Sequence, residues 1–159
     1  MKRMIIKKAN NTNIERILEV YNKVTIELLR KEIHQWEYPW TKNDILSMIN
    51  NLYLLYNGED VIGCFELILL DSNNYMMKQG DLYLGKIAIL PEYQGQSFLS
   101  KVIEYSKELS IKENRNCYLD CWAGNPKLKE IYEKYTEYLG DFKEDNYYIS
   151  IFQLAKHTR

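Results

Sequence analysis

Ile87-Ala88-Ile89-Leu90-Pro91-Glu92-Tyr93-Gln94-Gly95-Gln96-Ser97-Phe98-Leu99 is the stretch whose reading decides the fold. Ile87 to Ile89 closes a strand, Pro91 to Ser97 is a short polar turn, and Phe98, Leu99, Val102, Ile103, Ser106 and Leu109 then recur at helical spacing. A strand that runs through a tight turn into a helix N-terminus presents several backbone N–H groups without helical partners. The helix dipole favours negative charge at the same point, so the geometry suits a phosphate. Taken alone, the turn also reads as an ordinary connection between a strand and a helix.

Working outward, residues 3–9 alternate weakly and predict a first strand. Thr12-x-x-Glu15 reads as a capping box ahead of an apolar stripe at Ile14, Ile17, Leu18, Tyr21, Val24, Thr25, Leu28 and Leu29. His34 to Trp40 breaks that period, and Thr41-x-x-Asp44 opens a second, shorter helix. Leu52 to Tyr56 and Val61 to Leu70 predict two strands joined around Asn57-Gly58, a strong hairpin signal. Asp71 to Gly80 is a polar loop and Leu82 to Ile89 a long strand. After the central helix, Cys117 to Trp122 predicts a strand, and Pro126 suits the first turn of a helix. That helix is expected to carry Leu128, Ile131, Tyr132, Tyr135 and Leu139 on one face, with Tyr147 to Leu154 as the closing strand. With no repeats or linker, residues 1–159 read as a single α+β domain with a mixed, mainly antiparallel sheet.

The chain has 159 residues, 46% hydrophobic and 27% charged, which is enough for a core without disulfides or metal. A net charge of −1 leaves no global field to attract nucleic acid or an anionic membrane. No run is long enough to span a bilayer: Val61 to Leu70 contains Glu66 and is about half a spanning length. Cys64, Cys117 and Cys121 are an odd set that fits a reducing compartment, so a cytoplasmic protein is expected. Cys117 and Cys121 are roughly 13 Å apart on an extended strand, too far to ligate one metal, and with only His34 and His157 no metal site is expected.

The region Leu82 to Phe142 resembles the GNAT superfamily of acyl-CoA-dependent N-acetyltransferases, of the bacterial small-amine or peptide type. The likeness is carried by Ile87-Ala88-Ile89-Leu90-Pro91-Glu92-Tyr93-Gln94-Gly95-Gln96 and by Leu119-Asp120-Cys121-Trp122-x-x-Asn125-x-x-Leu128-x-x-x-Tyr132-Glu133-Lys134. His34-Gln35-Trp36 is similar to the acceptor-side linker of some bacterial members. The resemblance implies a twisted, mainly antiparallel sheet flanked by about four helices and splayed at its centre. It implies acetyl-CoA as co-substrate, with pantetheine along Ile87, Ala88 and Ile89 and the diphosphate on Gln94, Gly95, Gln96, Ser97, Phe98, Leu99 and Ser100. Asn125, Lys127 and Tyr132 complete the expected cofactor set. Ser97 and Leu99 stand where the family's turn carries small residues, and Leu99 adds bulk where backbone and phosphate approach.

The implied reaction is direct attack of an amine on the thioester, with Tyr132 protonating the departing thiolate. Without the resemblance, Tyr132 reads as a core residue of its stripe and Asn125 as an N-cap. The family's usual base position holds Tyr83, and an ordinary phenol, with a pKa of about 10, is a poor base near neutrality. Asp81 on the same face, Glu66 on the neighbouring strand, and a water chain are the other candidates. The acceptor is expected near residues 30–40, the 71–80 loop and Trp122, where Glu32, Trp36, Glu37, Tyr38 and Trp40 would suit a cationic amine. In the other reading, the two tryptophans pack over the helices and the glutamates are solvated. Two functions are open: an N-acetyltransferase acting on a small-molecule or peptide amine, or a non-catalytic module binding a CoA ester or a protein partner. Many proteins of the family dimerise, so a homodimer is among the expectations.

Overall fold

A computed structural model describes residues 3–95 and 97–155, with Ala155 described in its backbone only. In chain order the elements are β1 (Met4–Lys8), α1 (Ile14–Arg30), α2 (Lys42–Met48), β2 (Leu52–Asn57), β3 (Asp60–Leu69) and β4 (Leu82–Ile89). They are followed by α3 (Phe98–Lys112), β5 (Cys117–Trp122), α4 (Pro126–Glu133), β6 (Glu137–Lys143) and β7 (Tyr148–Ala155). The strands form one sheet in the order β1-β2-β3-β4-β5-β7-β6. The β4–β5 pair is parallel, while β1–β2, β2–β3, β5–β7 and β6–β7 are antiparallel. The chain divides into two compact units, one running through Glu66 together with Lys86–Val102, the other holding Leu67–Gly85 together with Ile103 onward.

In the first unit, α1 buries Ile17, Val20, Tyr21, Val24 and Thr25, the stripe expected from its spacing. Its start differs from the expectation. Asn10 and Asn13, not Thr12 and Glu15, form the reciprocal cap, around a short 3-10 turn at Asn11–Asn13. The carboxamide of Asn10 reaches the first free N–H groups ahead of Thr12, and Glu15 instead pairs with Lys42 at 2.6 Å. The second box is as expected: Thr41 accepts from the Asp44 N–H, and the Asp44 carboxylate accepts from the Thr41 N–H. In the β2–β3 hairpin Asn57 pairs with Asp60, so the two turn residues are Gly58 and Glu59.

In the second unit the β4–β5 ladder runs Leu82↔Cys117, Tyr83↔Tyr118 and Leu84↔Leu119. β5 is held along its length by β7, from Tyr118↔Gln153 to Trp122↔Ile149. Met77, Tyr118, Ile149 and Ile151 are buried together, with Leu70, Met76, Leu139 and Phe142 packed on them. A seventh strand, β6, lies where the helical stripe was expected to continue. α4 ends at Glu133, so Tyr135 and Leu139 are not on its face. Pairing with β7, from Glu137↔Gln153 to Lys143↔Tyr148, overrides the 3–4 spacing that Tyr132, Tyr135 and Leu139 happen to share.

Candidate active site

Lys86 lies inside β4 yet has a left-handed backbone (φ 46°), which bends the strand as a bulge does. The Tyr21 hydroxyl, from the buried face of α1, donates to the Lys86 main-chain oxygen at 2.7 Å. Glu66 is buried and pairs with the Lys86 ammonium at 3.2 Å. Burial, then the neighbouring Cys64 and Glu66, push the Tyr21 phenol well above its ordinary range, and burial pushes the Cys64 thiol up to about 12. Glu66 is therefore a carboxylate already committed to a cation, within the same unit as Ile87, Ala88 and Ile89.

Beyond β4 the Gln94 side chain donates to the Ile89 main-chain oxygen at 2.9 Å, tying the turn to the strand end. Gly95 (φ 79°) and Ser97 (φ 70°) are both left-handed. Gln96 lies outside the described residues. The Ser97 carbonyl accepts from the Lys101 N–H at 3.3 Å and from the Ser100 hydroxyl at 2.8 Å, so Ser97 stands at the cap position just before α3. The N–H groups of the first turn, through Leu99 and Ser100, therefore have no acceptor within α3 itself. Phe98 is buried edge-on to the Tyr93 ring at 5.7 Å, and the Leu99 side chain is partly exposed.

Tyr21, Trp36 and Trp40 form an aromatic group, with Tyr21 stacked on Trp40 at 4.4 Å and Trp36 edge-on to Tyr21 at 5.6 Å. The Trp40 indole donates to Thr25 at 2.9 Å. Trp36, Glu37 and Tyr38 also line a cavity of about 480 Å³ with Leu29, His34 and Gln35. Glu32 is exposed, does not line this cavity, and has a left-handed backbone (φ 59°) just past the end of α1.

In the second unit the Tyr83 phenol donates to Asp120 Oδ1 at 2.6 Å. Tyr83 and Tyr118 are register partners, so Asp120, two residues further along β5, lies on the face that Tyr83 shares. Gly85 leaves room for the Tyr83 ring, since a Cβ there would crowd it at 3.2 Å. Burial raises the Asp120 carboxyl above its ordinary range, the Tyr83 hydrogen bond opposes that, and the charge of Glu144 adds to it. Sequence reasoning assigned Asp120 no role. Its signal was an aspartate in a strand otherwise built of β-formers, beside the strand bearing Tyr83.

Asp81 is buried and spends its carboxylate on the Lys78 N–H at 2.8 Å, holding the loop before β4. Asn125 caps α4 by accepting from the Leu128 N–H at 3.2 Å, and Lys127 is exposed in the first turn of that helix. The Trp122 ring lies over Gly124 and is half exposed. Tyr132 is 5% exposed, with its ring edge-on to Phe152 at 5.5 Å. Among the described residues none accepts a hydrogen bond from its hydroxyl. Burial, then Cys121 and Asp120, raise its pKa above the ordinary phenol value, so it keeps its proton. A buried, unpartnered hydroxyl is rare, because leaving it so costs about 1–3 kcal/mol.

The profile of the acetyltransferase (GNAT) family matches residues 14–138. The chain belongs to that family. Among solved structures, this GNAT protein is similar to a GNAT-family acetyltransferase from Listeria monocytogenes, with a TM-score of 0.74, 18% identity and 95% of each chain covered. It is also similar to a spermidine N-acetyltransferase chimera from Vibrio cholerae, with a TM-score of 0.70, 17% identity and 95% and 94% of the two chains covered. A third likeness is to a PaiA N-acetyltransferase from Thermoplasma acidophilum in complex with coenzyme A, with a TM-score of 0.69, 15% identity and 95% and 99% covered. At these identities the likeness is one of fold. No curated protein matches the GNAT chain in sequence. Among the described residues no helix is long and apolar enough to cross a membrane, and no group of three or more His, Cys, Asp or Glu is placed to hold a metal ion.

Proposed function

We propose that this GNAT protein transfers an acetyl group from acetyl-CoA to a primary amine of a small molecule or peptide, acting as one GNAT-like domain. The observation that carries the reading is Tyr132: a buried phenol, protonated across the neutral range, whose hydroxyl meets no described acceptor. Such a group is poised to give a proton to a thiolate leaving group.

Acetyl-CoA supplies the activated acyl carbon. The first N–H groups of α3, from Ser97 to Ser100, would take the diphosphate, and Gly95 with left-handed Ser97 sets the sharp entry this needs. The left-handed residue Lys86 breaks the regular course of β4 just ahead of Ile87, Ala88 and Ile89, whose backbone would hold pantetheine and polarise the thioester carbonyl. Asn125 caps α4 and Lys127 lies in its first turn, on the helix whose last turn carries Tyr132. The Trp36 and Tyr38 cavity is a reading for part of the acceptor. The coenzyme A complex and the spermidine enzyme among the structural relatives are consistent with this chemistry.

The test is thermal shift with acetyl-CoA and with free CoA, followed by thiol release across a panel of amines. Stabilisation by acetyl-CoA together with amine-dependent thiol release is the expected result. Stabilisation without release for any amine would favour a non-catalytic CoA-ester module, the reading to which the bulk of Leu99 lends weight. No stabilisation at millimolar ligand would remove both.

A further inference from the structure

Among the described residues, Asp120 is a carboxylate whose surroundings supply no counter-ion. It is a partly buried carboxylate in the middle of β5, where both neighbours along the strand, Leu119 and Cys121, are buried. Tyr83 supplies its one hydrogen bond among the described residues, and no described cation pairs with it. Its charged surroundings are unfavourable as well: Glu144, past the end of β6, adds a like charge. The other titratable groups that sense it are Tyr75 from the loop before β4, Cys121 on β5 and Tyr132 on α4. None of these is a cation. A desolvated carboxylate kept without a counter-ion is costly unless a bound cation completes it. No hydrogen bond to its other oxygen, Oδ2, is present among the described residues, and a carboxylate oxygen can accept from such a ligand.

Resting on the acetyltransferase reading, the geometry points to Asp120 as the base that binds the acceptor as a primary ammonium and takes its proton, with Tyr83 holding the carboxylate in place. The ammonium gives one proton to Asp120, which later passes it to water. The nitrogen lone pair then forms the C–N bond while the C–S bond of the acyl thioester breaks. The thiolate gains a proton from Tyr132, and the second proton leaving the nitrogen passes through solvent to restore the Tyr132 phenol, so the products are an amide, a thiol and the one proton released through Asp120. The coupling of Tyr132 to Asp120 inside one unit places donor and acceptor of protons in the same electrostatic neighbourhood. Tyr83 is then a positioning residue. This also accounts for a tyrosine where a basic carboxylate is expected: the carboxylate comes from the adjacent strand.

The experiment is kcat and kcat/KM against pH for wild type, Asp120→Asn and Tyr83→Phe, with acetyl-CoA affinity measured for each protein. Asp120→Asn is expected to lower kcat by about 100-fold or more, to abolish the acid limb, and to leave acetyl-CoA affinity unchanged. Tyr83→Phe removes a hydrogen bond to the charged form, so its acid limb moves to higher pH while activity recovers on the alkaline side. A purely structural role for the pair would lower activity without moving that limb. Full kcat and an unmoved acid limb in Asp120→Asn, with an active wild type, overturns the assignment and leaves the acetyltransferase reading standing. Should Asp120→Asn fail to fold, an unmoved limb in Tyr83→Phe overturns it equally. A wild type that binds acetyl-CoA but releases no thiol with any amine sinks the function and Asp120's role together.

Discussion

The hydroxyl of Tyr21 donates to the main-chain oxygen of Lys86 at 2.7 Å, at the one residue of β4 whose backbone is left-handed. A helix side chain buried by the α1 stripe thus pins the bend of the strand that carries Ile87 to Ile89. Tyr21→Phe keeps the stack on Trp40 and removes this bond together with the hydroxyl's contact with the Cys64 thiol, so the expected loss is about 1–2 kcal/mol of stability by urea titration. The KM for acetyl-CoA is expected to rise severalfold, because the bulge is no longer held. An unchanged KM would show that the strand sequence alone maintains the bend.

Tyr132→Phe separates catalysis from packing. The ring and its contact with Phe152 remain, while a buried hydroxyl with no acceptor among the described residues disappears. Stability should hold or rise by up to about 1 kcal/mol, whereas removing a satisfied hydroxyl would lower it. Over the same substitution kcat should fall by about 100-fold. Retention of full turnover would take the role of acid from Tyr132.

Ser97 adopts φ 70°, a conformation glycine enters without the steric cost that other residues meet. Ser97→Gly is expected to raise stability by up to about 1 kcal/mol by thermal or urea unfolding, and to tighten CoA binding about two- to fivefold as the turn loses its side chain. Weaker binding would mean instead that the serine hydroxyl donates to the ligand.

The raised pKa of Asp120 makes a signed prediction for stability. The folded state holds this proton more tightly than the unfolded chain, whose carboxyl titrates near 3.9. The stability from Asp120 is therefore complete below the unfolded pKa and is lost as pH rises through the folded one. Asp120→Asn carries no such titration. It should gain stability relative to wild type on going from about pH 3.5 to pH 7. Parallel unfolding curves for the two proteins at both pH values would contradict the assignment of the shift.

Much of the architecture is legible in the local pattern. Leu82–Ile89 and Cys117–Trp122 form strands at the expected residues, Thr41 and Asp44 cap α2 reciprocally, and Asn125 caps α4. These features depend on neighbours within a turn or on alternation along one strand, and both are written in consecutive residues. The missed β6 shows where this reading stops. Tyr132, Tyr135 and Leu139 carry a helical spacing by coincidence, and only the β7 partner turns the segment Glu137–Lys143 into a strand. The displaced cap at Asn10 is a smaller case, in which two possible boxes lie two residues apart and the fold uses the earlier.

The candidate site divides along the same line. By itself the sequence determined the strand, turn and helix from Ile87 to Leu99, the placement of Asn125 and Tyr132 on α4, and the family likeness those spacings carry. Tertiary structure alone decided that Glu66 is paired with Lys86, that Asp81 holds a loop, and that the Tyr132 hydroxyl is buried with no acceptor among the described residues. It also joined Tyr83 to Asp120 across 37 residues and Tyr21 to Lys86 across 65. The physical reason is that periodicity encodes backbone conformation and burial, whereas a proton's partner depends on strand register and on which helix face meets which strand.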